Sequence, residues 1–363
     1  MKVYYYHTTD IQTILGGWRQ GAYPGHFLYG ATHLEKHGIG VVWHKFRFWP
    51  CRWQQSLYVA WRVLTCGEHF DAVYATTFRG LEIIVFLRAL GIYRKPIYVW
   101  HHQPVVTAKS KLRELVARVF YRGLDGMFFF SQKIIDDSLR SAKARRERMH
   151  VARWGADLDY YDRLLFDAYA CPDQTSVSAL DNIWKRRQGF ISTGKEMRDM
   201  PTLAEAFRRT EAPLDIYICR AYGGTDYRQL FSRLPLGGNT RVHFIEGLAH
   251  RDMSLKVNDA ACVVICCMET NYTVGLTTVV EALALGIPLI CSRNPQMPVD
   301  IDKVGCGITV DYGDVEGWEK AVRFMTEHPE QAAEMGRQGR EYAERELNLE
   351  NCAEDVARVM MEQ

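Results

Sequence analysis

Residues 270–294 read T-N-Y-T-V-G-L-T-T-V-V-E-A-L-A-L-G-I-P-L-I-C-S-R-N. The pattern is loop, helix, turn, strand. Before it, residues 262–268 form a run of small and β-branched apolar residues, the signature of a strand buried on both faces. Gly275-Leu276-Thr277-Thr278 opens a helix that continues through an apolar run from 279 to 285, with Glu281 inside it. Gly286 closes that helix, Pro288 follows, and Leu289-Ile290-Cys291 begins another strand. A helix that starts on a glycine at the carboxyl end of a strand offers free N–H groups and the positive end of its dipole to an anion. Glu281 lies between one and two turns in. A carboxylate there does not favour phosphate, but it accepts hydrogen bonds from a pair of hydroxyls. The stretch therefore reads as one site for a diphosphate and a ribose.

Outward from this stretch, strands and helices alternate in both directions. In the first half the expected strands are 3–7, 41–44, 72–75, 97–100, 126–130 and 150–152. Helices are expected at 26–36, 81–90, 111–121 and 133–141, and Gly16-Gly17 reads as part of a loop. In the second half, strands at 189–193, 214–219 and 242–245 alternate with helices at 200–208, 227–234 and 251–259. Helices at 317–326, 330–346 and 349–361 end the chain. Such alternation implies parallel sheets covered by helices, with ligands at the carboxyl ends of the strands. The more polar segment 165–187, with Cys171-Pro172-Asp173, reads as a domain junction. The fold class is α/β, with two Rossmann-like domains facing across a cleft. The expected domains are 1–168 and 169–348, with a last helix, 349–363.

The chain has 363 residues, 47% hydrophobic and 24% charged, as expected for a folded protein of two domains. It contains no apolar run long enough for a transmembrane helix, and its first residues read as a strand rather than a signal peptide. The ten cysteines are scattered and contain no Cys-x-x-Cys pair, which favours reduced, buried thiols over a disulfide scaffold or a zinc site. Net charge is +2, but residues 1–170 hold 24 Lys and Arg against 14 Asp and Glu, and the remainder 21 against 29. A basic first half suits a phosphate-bearing acceptor or an anionic membrane surface; its plainer reading is solvated helix faces. In residues 43–61, W-H-K-F-R-F-W-P-C-R-W-Q-Q-S-L-Y-V-A-W, aromatic residues interleave with Lys45, Arg47 and Arg52. Such a mix suits peripheral membrane contact, to which the basic run 143–148 would add. Core aromatics with flanking surface charge are the bland alternative, and single-stranded nucleic acid is set aside. Asp157-Leu158-Asp159 is formally an Asp-x-Asp, but its place after Gly155-Ala156 makes it a turn, not a metal site.

These pieces together resemble the GT-B glycosyltransferases of the family-4 type, which includes sucrose synthase-like and phosphatidylinositol mannosyltransferase-like enzymes. The matching residues are Ser192-Thr193-Gly194-Lys195 with Arg198-Asp199, Thr202-Leu203 and Ala206; His243-Phe244 with Gly247; and Gly275-Leu276-Thr277-Thr278 through Glu281-Ala282-Leu283-Ala284, Gly286 and Pro288. Trp154-Gly155-Ala156-Asp157 resembles the family's Asn-Gly-Val-Asp turn. The likeness spans roughly residues 150–360; the first domain matches loosely, through residues 21–38 and the His101-His102 loop.

The resemblance implies a donor nucleotide sugar on the second domain, retention at the anomeric carbon, no cofactor and no required metal. It also implies a last helix that crosses back to the first domain. Lys195 and Arg198 would stabilise the leaving diphosphate with the amides of Gly275, Leu276 and Thr277; Gly194 would lie at the same site and Glu281 would hold the ribose. His101 or His102 would approach the donor sugar. Gly21 or Gly25, near the start of the first domain, would let the backbone approach the phosphate. Two departures stand out. The family has two glutamates separated by seven residues, the first touching the donor sugar. Here Thr273 stands eight residues before Glu281, and Glu269 twelve before. The family's Lys and Arg are five apart, whereas Lys195 and Arg198 are three apart. The expected activity is hexose transfer from a nucleoside-diphosphate sugar, a UDP-sugar favoured over a GDP-sugar, to a hydroxyl of a lipid or glycan, in the cytoplasm at the inner face of the cell membrane. The alternatives are a non-catalytic nucleotide-sugar-binding or membrane-scaffold protein, and a GT-B nucleotide-sugar epimerase.

Overall fold

The computed structural model describes residues 1–169, 183–247 and 249–362, with side chains at 166–169 left aside. The expected junction around Cys171-Pro172-Asp173 lies outside the described residues. The chain forms two units. One is Met1–Gly155 with Asn348–Gln363, the other Ala156–Leu347. The boundary at 155/156 falls before the 168/169 expected from composition. Helix Leu158–Tyr169 packs on helices of the second unit, His250–Asn258 and Leu276–Ala284.

The first unit is built on six parallel strands: β1 (Lys2–Tyr6), β2 (Gly40–Trp43), β3 (Ala72–Ala75), β4 (Ile97–Trp100), β5 (Gly126–Phe129) and β6 (Met149–Val151). Their order is β2-β1-β3-β4-β5-β6. Tyr4, Tyr5, Tyr6, Tyr74 and Trp100 are buried on these strands, and their polar tips are satisfied. Tyr5 donates to the Leu28 carbonyl at 2.9 Å and Trp100 Nε1 to the Tyr74 hydroxyl at 2.7 Å. The last helix, Leu349–Met361, buries Leu349, Cys352, Ala353, Val356 and Met360 in this unit. Arg153 grips it with a two-pronged contact to Asp355, at 2.8 and 2.9 Å.

Two expectations for this unit fail. Gly16-Gly17 lies inside a helix, Ile11–Arg19, capped by Asp10 and anchored by Ile11, Ile14 and Leu15. Residues 26–36 are not one helix but two short 3₁₀ turns, Gly25–Leu28 and Leu34–His37. The left-handed Tyr29 (φ 51°) and Gly30 (φ 79°) break the run. The expected list also lacks helix Arg52–Leu64, which carries much of the aromatic stretch.

The second unit holds β7 (Phe190–Thr193), β8 (Leu214–Ile218), the small hairpin β9 (Ala221–Tyr222) and β10 (Thr225–Asp226), β11 (Thr240–Phe244), β12 (Cys262–Ile265), β13 (Leu289–Ser292) and β14 (Gly307–Val310). Its main sheet is parallel, in the order β11-β8-β7-β12-β13-β14. The chain runs outward from β7 through β8 to β11, then returns to lay β12 on the other side of β7. The gap between the carboxyl ends of β7 and β12 is therefore the topological switch point, where such sheets take ligands.

Helix Leu276–Ala284 is fixed at its far end as well. Arg187 donates to the carbonyls of Leu285 (2.6 Å), Gly286 (2.9 Å) and Asn258 (2.9 Å), and Arg340 to that of Ala284 (2.6 Å). Two buried guanidiniums thus satisfy carbonyls that a helix end leaves open. Helix Pro329–Arg345 packs here through Gly336, where a Cβ would stand 2.4 Å from the Gly286 carbonyl oxygen. In an open helix, Gly→Ala adds stability. Here the clash reverses the sign, and Gly336→Ala is expected to cost about 2 kcal/mol. Urea denaturation checks this; an unchanged or higher midpoint would show that the helix is not seated so closely.

Candidate functional site

The second unit assembles its site at the switch point. Gly194 (φ 96°) and Met197 (φ 48°) fold the segment after β7 into a tight turn that sends Arg198 back over the strand end. Residues on either side of Arg198 lock to the chain after β12: Met268 N–H donates to the Met197 carbonyl (2.8 Å) and Asp199 N–H to the Cys266 carbonyl (3.1 Å). The Arg198 guanidinium is buried. It donates to the Thr193 carbonyl at 3.0 and 3.1 Å, the Glu196 carbonyl at 3.2 Å and Cys267 Sγ at 3.2 Å. None of these acceptors is a carboxylate, so dipoles hold the cation without cancelling it.

Gly194 and Gly275 make room for it. A Cβ on Gly194 would stand 2.2 Å from Arg198 Nη2, and one on Gly275 would stand 2.7 Å from Ile265 and 3.9 Å from Arg198 Nη1. Gly275 is also the N-cap of helix Leu276–Ala284, in the left-handed conformation (φ 86°), so no capping side chain takes up the first-turn amides. Leu276 points into the core, Thr277 is exposed, and Thr278 faces Thr193 with 3.4 Å between their hydroxyls. Lys195 is exposed, with Nζ 4.7 Å from the ring centre of Tyr222 on the β9–β10 hairpin, while its carbonyl accepts from Tyr227 at 2.6 Å. The fixed guanidinium and the helix start meet at this strand end, chemistry that suits an anion, and Lys195 stands three residues before Arg198 in the same turn.

Glu281 sits half-buried on the same helix. Ser254 donates to its Oε1 at 2.5 Å. Burial pushes its pKa up to about 7, partly opposed by the Ser254 hydrogen bond. Burial raises the phenols of Tyr160 and Tyr161 beside it, and the Glu281 charge raises them further. The two residues at the departure from the family pattern are not brought together. Glu269 is exposed, whereas Thr273 uses its hydroxyl to tie the loop to the Gln296 carbonyl at 2.8 Å.

In the first unit the structure separates the two histidines after β4. His101 is buried between Phe129 and Phe78, with ring centres at 5.4 and 5.3 Å. Its Nδ1 donates to the Gln103 carbonyl at 2.6 Å, and its Nε2 accepts from Tyr121 at 2.9 Å. With both nitrogens engaged inside the unit, His101 is a structural residue. His102 turns outward and stacks on Tyr29, ring centres 5.8 Å apart. His7, after β1, also lies beside Tyr29, at 6.3 Å. The half-buried His7 is held down to about 4 by burial and by His102 beside it, and His102, although its residue is exposed, is desolvated by the protein packed around its ring and further lowered by Arg79, also to about 4. Both are neutral at pH 7 and serve as hydrogen-bond partners rather than cations. Gly25 is buried in its 3₁₀ turn and Gly21 follows the first helix, so neither opens the long helix expected for a phosphate approach.

The reading from sequence missed His7, Tyr29 and Arg79 here, and Ser254 and Tyr160 beside Glu281. His7 carried a signal, since it is the first residue past β1 at its carboxyl end. Ser254 carried none, being 27 residues from its partner. Among the described residues, no group of three or more His, Cys, Asp or Glu side chains is placed to hold a metal ion.

Residues 189–342 match the family described as Glycosyl transferases group 1. A stretch of 276 residues, 71% of the chain, is 21% identical to the D-rhamnosyltransferase WbpZ of Pseudomonas aeruginosa and covers 64% of that protein, so the chain spans just under two thirds of that relative's length. Among solved structures, the Anabaena protein Alr3699/HepE in complex with UDP-glucose superimposes with a TM-score of 0.66 at 15% identity, over 100% of both chains. Sucrose-phosphate synthase of Thermosynechococcus elongatus gives 0.70 at 14% identity, over 99% of this chain and 98% of that one. The match to the group 1 glycosyl transferases is thus carried by residues 189–342 of the second unit, and the two parallel α/β units have the GT-B fold.

Proposed function

We propose that the chain transfers a hexose or deoxyhexose from a nucleoside-diphosphate sugar to a hydroxyl of a lipid or glycan acceptor. The observation that carries this reading is Arg198, a buried guanidinium held by carbonyls at the switch point, against the glycine that opens helix Leu276–Ala284. In the reaction, the bond from the anomeric carbon to the β-phosphate oxygen breaks, and a bond to the acceptor oxygen forms. The acceptor proton passes to the departing phosphate, which leaves as a nucleoside diphosphate. Negative charge grows on that phosphate, where Arg198 and the first-turn amides stand preorganised to meet it and the movable Lys195 ammonium can be drawn in. Glu281 takes the ribose hydroxyls. His102, with Tyr29 and His7, offers neutral hydrogen-bond partners at the carboxyl end of the first unit's own sheet. The retaining outcome rests on the family resemblance. A UDP-sugar donor is supported by the UDP and UDP-glucose complexes of the Anabaena protein, and a deoxyhexose by the rhamnosyltransferase relative.

A peripheral position on the inner face of the cell membrane is supported by the first unit's surface. Phe48, Trp53, Leu57, Trp61 and Leu64 are all more than half exposed, and Trp53, Leu57, Trp61 and Leu64 form one stripe of helix Arg52–Leu64. Other aromatic residues of the same stretch are structural: Trp43 packs on Tyr5, ring centres 5.2 Å apart. Among the described residues, no helix is long and apolar enough to cross a membrane.

A thermal-shift panel of UDP-, GDP-, dTDP- and ADP-sugars tests the donor site. A ligand that binds only the native state raises the midpoint, and one base class is expected to stand out. No shift with any nucleotide sugar would sink the reading. Release of nucleoside diphosphate by the purified protein then separates a transferase from a silent binder.

A further inference from the structure

The loop that leads into Gly275 is held in one shape. The Tyr272 carbonyl accepts from the Asn294 amide at 3.0 Å and from the Thr270 hydroxyl at 2.8 Å, and the Thr273 hydroxyl donates to the Gln296 carbonyl at 2.8 Å. With the backbone pinned at both residues, the Tyr272 side chain has a fixed direction. It is half-buried, and its phenol donates to Glu196 Oε1 at 2.9 Å. Burial, then the Glu196 hydrogen bond and charge, push that phenol up to about 12, so it remains a donor at neutral pH.

Glu196 belongs to the turn that places Arg198. Its own carbonyl accepts from Arg198 Nη1 at 3.2 Å. The residue is therefore tied twice: by its backbone to the buried cation, and by its side chain to the loop before the helix start. Its carboxylate is still open to a ligand. It is exposed, and among the described residues the Tyr272 phenol is its one hydrogen-bond or ion-pair partner. Lys195, just before it, holds its ammonium over Tyr222 instead, 4.7 Å from the ring centre.

A carboxylate beside an anion site weakens the binding of a bare diphosphate, because like charges repel. It strengthens binding once the terminal phosphate carries a sugar, whose hydroxyls donate hydrogen bonds and find a charged acceptor. Glu281 does not serve here, since it lies further along the helix and is engaged by Ser254. Thr273 does not serve either, its hydroxyl being taken by Gln296.

We infer that Glu196 recognises the hydroxyls of the donor sugar, and that Tyr272 is the positioning residue that aims its carboxylate. The inference rests on the donor reading and deepens it. Sugar recognition moves from the loop before Gly275 to the turn after β7, next to the cation that meets the diphosphate.

The test is titration calorimetry of the full chain with UDP-glucose, dTDP-rhamnose and GDP-mannose, each beside its own nucleoside diphosphate. Glu196→Gln is expected to bind the preferred nucleotide sugar about tenfold more weakly, yet to bind the bare diphosphate as tightly as the wild type or up to about threefold tighter. A structural brace would move both affinities the same way. Tyr272→Phe should weaken the nucleotide sugar about threefold, and add little to Glu196→Gln, because the two residues act as one unit. Three results would overturn the inference: unchanged affinity of Glu196→Gln for the nucleotide sugar; parallel losses for the nucleotide sugar and the bare diphosphate; or a sugar-specific loss in Glu269→Gln in its place, which would put recognition on the exposed carboxylate of the loop itself. A wild type that binds none of the diphosphates or their sugars would sink the donor reading, and this inference with it. Binding of the diphosphates with no sugar-dependent effect at Glu196 sinks the inference alone.

Discussion

Arg198→Ala is expected to lower release of nucleoside diphosphate from a nucleotide sugar by about a thousandfold at saturating donor, the scale for removing a preorganised charge donor from a site of developing negative charge. The reasoning starts from its hydrogen bonds. Two guanidinium nitrogens are fixed on the Thr193 carbonyl and a third reaches Glu196 and Cys267, so the side chain is locked before any ligand arrives. A locked cation undergoes no reorganisation as charge builds on the leaving phosphate, whereas an exposed one such as Lys195 must be ordered first. The same bonds make Arg198 structural, and alanine leaves buried carbonyls unpaired at about 1–3 kcal/mol each. Activity must therefore be read per folded molecule, with circular dichroism and urea midpoints alongside. Arg198→Lys separates the two roles. It keeps the charge but not the fork, and should recover part of the rate while recovering little stability. An alanine variant that folds and turns over donor normally would remove Arg198 from the chemistry.

The parts of this fold that were readable from sequence are those with local causes. The strands are short continuous apolar runs, and the helix that follows β12 announces itself by Gly275 before it and Gly286 after it. What escaped was decided at a distance or by phase. Helix Ile11–Arg19 was hidden by Gly16-Gly17, whose poor helix propensity is outweighed by the buried Ile11, Ile14 and Leu15. Residues 26–36 have helical composition, but Gly30 lies against Ala353, where a Cβ would come within 3.0 Å of its Cα. That constraint comes from the other end of the chain. His101 and His102 could not be told apart because adjacent residues on extended backbone face opposite ways. All four residues of β4 are buried, so the strand shows no alternation from which to read the phase. The resemblance implies a role for Arg198, and its three-residue spacing from Lys195 follows from a turn folded by Gly194 and the left-handed Met197, which no local pattern announces.

Glu281 should make donor binding depend on pH, and with a sign opposite to its effect on stability. A ribose diol donates hydrogen bonds, so the carboxylate must be ionised to accept both. With a pKa raised to about 7 by burial, affinity for a nucleotide sugar should fall about tenfold between pH 8 and pH 6. A nucleotide sugar is the right probe because its diphosphate is esterified at both ends and has no proton to exchange in that range. The free protein behaves in the other direction. The folded value lies above the ordinary 4.5, so the native state holds the proton more tightly than the unfolded chain. The resulting stabilisation is complete below about pH 4.5 and is lost as pH rises to about 7, a change on the order of 3 kcal/mol. Glu281→Gln should abolish both dependences. It can still accept from Ser254, carries no charge to bury, and is expected to raise the urea midpoint at pH 8. Its donor affinity should be about a hundredfold weaker than wild type at pH 8 and flat down to pH 6, since one neutral carbonyl replaces a charged pair of acceptors. Calorimetry adds an independent check: donor binding by the wild type near pH 7 should release about half a proton per site, seen as an enthalpy that varies with the buffer, and the variant should release none. If the glutamine variant kept the wild-type affinity and pH slope, the hydroxyls of the ribose would have to be held elsewhere, and Glu281 with Ser254 would be a buried brace between helices.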